Sequence, residues 1–101
     1  MIKHIVFFKL ADIAEGKSKA ENALFIKTEL ENLKAIIPQI KTIEVGINHH
    51  DADASNYDIS LYSEFESLDD LNIYVQHPAH KKIGAYITAV RVARAAVDYE
   101  Y

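Results

Sequence analysis

Cysteine is absent from the 101 residues, which removes disulfides, thiolate metal sites and thiol nucleophiles together. No cluster of lysine and arginine occurs, and the formal net charge is -4 at pH 7. Neither nucleic acid nor an anionic membrane is therefore an expected partner. Long apolar runs are missing too. The run at residues 5–8 is too short for the hydrophobic region of a signal peptide or for a membrane span. A soluble, cytoplasmic protein is the expectation these absences leave. No internal repeat, low-complexity tract or linker divides the chain, and its length suits a single domain over 1–101 that folds alone without a large core.

What is present is a clear alternation of patterns. Ile2, His4, Val6, Phe8 and Leu10 alternate with Lys3, Ile5, Phe7 and Lys9, predicting a strand over 1–10 whose outer face is apolar only at its centre. Residues 11–17 read as a polar connection broken at Gly16. Ser18 and Glu21 stand at capping-box spacing. Ala23, Ile26, Leu30, Leu33 and Ile37 then recur at helical intervals up to Pro38, with Lys27, Glu31 and Lys34 on the outer side. A second strand is predicted over 40–47 and a polar hairpin loop over 49–56. A third strand over 57–65 carries Tyr57, Ile59, Leu61, Ser63 and Phe65 on one face. Ser67 and Asp70 repeat the capping spacing before a second helical region, and a strand over 92–101 ends the chain.

That second helical region holds the most informative stretch, residues 74–80. Pro78 cannot continue a helix but suits the first turn of a new one, so one helix ends near Gln76 and another starts at Pro78. Tyr74 falls in register with Leu68 and Leu71, and His80 with Ile83, Gly84 and Ile87. Both polar aromatics are expected to point inward. The order strand, helix, strand, strand, helix, strand places both helices on one side of a four-stranded antiparallel sheet, the ferredoxin-like βαββαβ arrangement of the α+β class. Ile5, Phe7 and Tyr62 then remain on the uncovered face, and a two-fold homodimer joining two such faces into an α/β barrel would bury them.

Five segments together resemble the stress-responsive dimeric α/β-barrel family, Dabb. They are Lys3-His4-Ile5-Val6, Ile36-Ile37-Pro38, Ser63-Glu64-Phe65-Glu66-Ser67, Tyr74 followed by His77-Pro78-Ala79-His80, and Val97-Asp98-Tyr99-Glu100. The resemblance implies the ferredoxin-like fold and the sheet-to-sheet dimer. Most bacterial members have no assigned activity. One plant branch, similar to olivetolic acid cyclase, closes a linear polyketide by aldol condensation without metal or organic cofactor. Its catalytic tyrosine and histidine correspond to Tyr74 and His80, and its first-strand pocket histidine to His4. Other pocket positions depart from that branch: Leu30, Ile59, Arg91 and Arg94 replace its tyrosine, histidine, tryptophan and aliphatic residue. The cyclase substrate is therefore not expected to carry over.

The chemistry suits these residue types. An aldol closure needs a base beside a carbonyl and a donor for the developing oxyanion. His80, in the first turn of a helix, is expected to stay neutral under the positive end of the helix dipole. Tyr74 and His80 are the catalytic candidates, and His4, Val6, Phe8, Ile59, Leu61, Ile83 and Arg94 are expected around a ligand. An inward Arg94 favours an anionic or carbonyl-bearing ligand, although Arg91 and Arg94 also suit solvated or ion-paired strand positions. His77 is expected to cap or pack at the helix start. His49, His50, Asp51 and Asp53 do not complete a zinc-like set, so no metal and no cofactor is expected. Three readings follow: a binding domain for a small carbonyl or aromatic ligand, a cofactor-independent cyclase or lyase, and a cofactor-free monooxygenase.

Overall fold

The alternation at the start of the chain becomes strand β1 (Ile2–Leu10), with Ile2, His4, Val6, Phe8 and Leu10 all buried. The structure, a computed structural model, describes all of residues 1–101. The polar connection after β1 holds a small hairpin of β2 (Ile13–Ala14) and β3 (Lys17–Ser18), which periodicity over two-residue strands does not reveal. Its turn places Glu15 at φ 53° and Gly16 at φ 72°. Two consecutive left-handed residues form the type I′ turn that matches strand twist.

Helix α1 (Lys19–Asn32) starts at the expected capping box: Ser18 Oγ accepts from the Glu21 N–H, and the Glu21 carboxylate accepts from the Ser18 N–H. A 3-10 turn, Leu33–Ala35, carries the stripe on to buried Ile37 before Pro38. Lys27 and Glu31 are not simply outer residues. Glu31 Oε2 accepts from the Val45 N–H at 3.1 Å, and Lys27 donates to the Val45 carbonyl at 2.5 Å. The pair therefore occupies the free hydrogen-bonding edge of β4 (Thr42–Ile47) at its middle, which blocks another strand from adding there.

Strand β5 (Ile59–Phe65) follows, with Ile59, Leu61, Ser63 and Phe65 buried as expected. Tyr57 precedes it and does not join that face; its ring lies 6.1 Å from Phe7, an outer-face residue of β1. Helix α2 (Leu68–Gln76) is capped by Ser67 Oγ, which accepts from the Asp70 N–H; the reciprocal half of the box is not made. Leu71 and Tyr74 are buried, whereas Leu68, in the first turn, is exposed. Helix α3 (Pro78–Val90) and strand β6 (Arg91–Glu100) complete the chain.

The sheet order is β4-β5-β1-β6, all antiparallel, the ferredoxin-like order. Nineteen buried hydrophobic residues form one core between the inner sheet face and the helices. Buried Asn22 ties three parts together: its Nδ2 donates to the Ala14 carbonyl, and its Oδ1 accepts from the Tyr86 hydroxyl. The opposite sheet face carries Phe7, Val97 and Tyr99, all exposed, beside half-buried Ile5. On that face Glu64 accepts from both Tyr62 and Tyr101, and the Lys3 ammonium sits 4.4 Å from the Tyr101 ring centroid. The Glu64 hydrogen bond leads the causes that push Tyr62 up to about 12. No helix is long and apolar enough to cross a membrane.

Ser18→Ala removes one side of the α1 capping box, an effect of about 1 kcal/mol. The midpoint of urea unfolding should fall with an unchanged denaturant slope, which equilibrium denaturation measures directly.

Candidate functional site

The break between α2 and α3 builds the site. His77 is in extended conformation, φ -63° and ψ 136°, and serves as C-cap of α2 and N-cap of α3. Its Nδ1 accepts from the Ala79 N–H at 3.0 Å, the expected capping role. Pro78 is the first residue of α3, where a missing N–H costs nothing. Ending α2 here strips its last carbonyls of intrahelical donors. One of them, on Val75, lies 3.1 Å from His80 Nδ1. A carbonyl only accepts, so His80 carries its proton on Nδ1 and leaves the Nε2 lone pair without a partner in the chain.

His80 stands against Tyr74, ring centroids 4.5 Å apart. Tyr74 is fully buried among Phe65, His4 and His80, and its hydroxyl has no hydrogen-bond partner. Burial raises its pKa. His4 enters from β1, Cα-paired with Ser63 on one side and Asp98 on the other. Its Nδ1–H donates to the Asp98 carboxylate, fixing that ring as well. Ser63 Oγ donates to the His4 carbonyl at 3.2 Å.

The His80 pKa is lowered from 6.5. Burial is the main cause; the Val75 carbonyl opposes it, and the nearby His4 and Arg94 reinforce it. The lowered value favours the neutral ring, with burial as its leading cause.

His80 opens onto a cavity of about 460 Å³ between α3 and the inner faces of β1, β5 and β6. Of the expected ligand contacts, His4, Val6, Phe8, Leu61 and Arg94 line it. Three of the expected residues lie apart from this cavity. Tyr74 is not in the wall; it sits behind it, sealed by its aromatic neighbours. Ile59 is buried in the core, Cα-paired with Phe8 and Ile47, and is not among the residues lining the cavity. Ile83 faces a second cavity of about 360 Å³ between α1 and α3, with Phe25 and Tyr86. The reason is angular: at about 100° per residue, Lys81, Gly84 and Thr88 lie on one flank of His80 and Ile83 on the other. Helical stripe reasoning finds the core seam but not which flank stays open.

Arg91 and Lys81 also line the cavity. Strand alternation hides Arg91, because Arg91 and Arg94 differ by an odd number. The register of β1 with β6 shifts between Lys9 and Leu10, pairing Lys9 with Ala93 and Leu10 with Arg91. The extra residue, Val92, returns Arg91 to the inner side. Neither arginine is ion-paired; Arg94 is exposed and Arg91 half-buried, so of the two strand roles expected for them the solvated one fits. In the 49–56 loop, His49, His50 and Asp51 bring ligand atoms within 4.8 Å of one another. These groups are exposed and serve the turns: His49 Nδ1 accepts from the Asp51 N–H, and Asp53 accepts from Ser55.

A folded-state pKa below the unfolded value makes His80 protonation unfavourable to folding. Its contribution should be complete above pH 6.5 and lost as pH falls through the lower folded value. Urea midpoints measured on both sides of that pH should therefore drop more for the natural chain than for His80→Gln.

The model of the stress responsive A/B barrel domain, Dabb, matches residues 2–101. The stress-response A/B barrel domain-containing protein DABB1 of Arabidopsis thaliana is 30% identical over 101 residues, covering 98% of this chain and 46% of that protein. The chain spans less than half the length of the curated relatives it matches. A dimeric protein of unknown function and ferredoxin-like fold from Bacteroides fragilis superimposes with TM-score 0.79 at 38% identity, over 99% of this chain and 95% of that one. A hydroxynitrile lyase from Passiflora edulis superimposes with TM-score 0.78 at 19% identity, over 97% of this chain and 90% of the lyase, a likeness of fold alone. With the matched region running from the first strand to the last, the chain belongs to the Dabb family of stress responsive A/B barrel domains.

Proposed function

We propose that this domain binds a small carbonyl-bearing or aromatic molecule in the cavity between α3 and the sheet. The observation that carries the reading is His80: a neutral imidazole, anchored through Nδ1, with Nε2 unclaimed beside an apolar wall of Val6, Phe8 and Leu61. Such a nitrogen accepts a hydrogen bond from a phenol or an enol, and the wall takes the ring or chain attached to it.

A second reading, cofactor-independent proton transfer of the aldol or lyase type, is favoured by the Tyr74 hydroxyl. A buried hydroxyl without a partner costs about 1–3 kcal/mol, and a catalytic role would account for keeping such a group in the core. In this reading His80 Nε2 takes the proton next to a carbonyl, and the Tyr74 O–H steadies the oxygen on which negative charge grows. For Tyr74 to do so the layer formed by His4 and His80 must part, since the phenol lies behind the cavity wall.

Histidine NMR on the domain, with a panel of small phenols and β-keto compounds, tests both readings. The His80 signal should move on ligand addition, and His80→Gln should abolish binding while the far-UV circular dichroism stays the same. If a compound is turned over, His80→Ala should lower the rate by about 10²–10⁴-fold. A His80 signal indifferent to every compound overturns both readings.

The exposed Phe7, Val97 and Tyr99 support self-association through the outer sheet face, as does the dimeric Bacteroides fragilis relative. The natural chain should sediment as a dimer and Phe7→Glu as a folded monomer; a monomeric natural chain overturns this.

A further inference from the structure

We propose that the cavity selects a ligand bearing a carboxylate, gripped by Arg91 and Arg94 at the β6 side. The inference rests on the ligand-binding reading above and names the chemical class it left open.

The chain has only two arginines, and both line this cavity together with Lys81. It has fifteen aspartates and glutamates, and none of them lines the cavity. A protein of net charge -4 has thus gathered three cations and no counter-charge around one opening. None of the three forms an ion pair within the chain. The nearest acid on the same face of β6 is Asp98, whose carboxylate is already held by His4. It stands four residues beyond Arg94, about 13 Å along a strand.

The backbone supports the same conclusion independently. A regular strand would send Arg91 and Arg94 to opposite faces, and the shift opposite Lys9 and Leu10 puts both on the inner one. Two guanidinium groups on one side of a strand offer forks of paired N–H donors, the geometry that fits a carboxylate bidentately. The cavity they share with His80 is also lined by the apolar Val6, Phe8 and Leu61. The complementary ligand is a carboxylate at one end, an apolar or aromatic body, and a hydroxyl or enolisable carbonyl directed to His80 Nε2.

Isothermal calorimetry at fixed ionic strength, with 2-hydroxybenzoate, the neutral isostere 2-hydroxybenzamide and phenyl phosphate as probes, decides it. The carboxylate should bind at least about 10-fold more tightly than the amide. That preference should vanish in Arg94→Gln, fall in Arg91→Gln and survive in part in Arg94→Lys, which keeps the charge without the fork. Equal affinity for carboxylate and amide, or a preference that both glutamine variants retain, overturns the proposal and leaves the cavity reading intact. Tighter binding of phenyl phosphate replaces the carboxylate assignment with a phosphoryl one. Binding of no probe at millimolar concentration overturns the proposal together with the reading beneath it.

Discussion

The hydrogen bond from His80 Nδ1 to the Val75 carbonyl organises the centre of this domain. It exists because Pro78 ends one helix and starts the next within a single residue, His77. A terminal carbonyl of α2 needs a donor, and the first turn of α3 brings an imidazole to it. The bond then decides three things at once. It selects the tautomer, it holds the ring half-buried against Tyr74, and it leaves Nε2 without a partner in the chain. A glutamine at position 80 could donate to Val75 as well, but it would present no basic nitrogen to the cavity.

Sheet and helices determine where that nitrogen opens. The sheet has four strands and the helices cover the inner face unevenly: β1 and β5 bury every second residue, while β6 has no fully buried residue. The cavity is this uncovered strip, closed on one side by α3 and floored by Val6, Phe8 and Leu61. The two sheet edges are treated differently. At β4 the Lys27 and Glu31 side chains satisfy the Val45 backbone, whereas β6 runs for ten residues along the other edge without a strand beyond it. Exposed apolar residues, Phe7 and Val97 among them, lie on the opposite face of the same sheet, away from the cavity.

Much of this was legible in the residues because the relevant signals are local. Alternation in β1 and β5, the Ser18 and Glu21 box and the Pro78 break each depend on neighbours within about four positions. What escaped depends on partners far along the chain. The Glu31 carboxylate looks like helix surface until Val45 arrives beside it. Alternation alone does not put Arg91 and Arg94 on one face; the register shift against β1 does. Ile83 shares a stripe with His80 yet faces the other cavity, since a stripe says which residues are inward and not what lies on either flank. Tyr74 and His80 were found together because burial and sequence proximity coincide there. The orphan state of the Tyr74 hydroxyl was not, since it reflects what is missing around it.

The same distinction bears on how the site forms. His4 and Asp98 are 94 positions apart, and their bond joins the first strand to the last across the cavity's far end. Contacts of such separation carry a larger loop-closure cost than local ones. The His80–Val75 bond spans five positions and can form as soon as the helical pair does. His80 is thus held by local bonds, while His4, Arg91 and Arg94 sit where the pairing of β6 with β1 puts them. A chain with β6 displaced would retain His80 in its tautomer but have neither the ordered His4 nor the cationic side. The pairing of β1 with β6 is therefore both a structural closure and the step that completes the site.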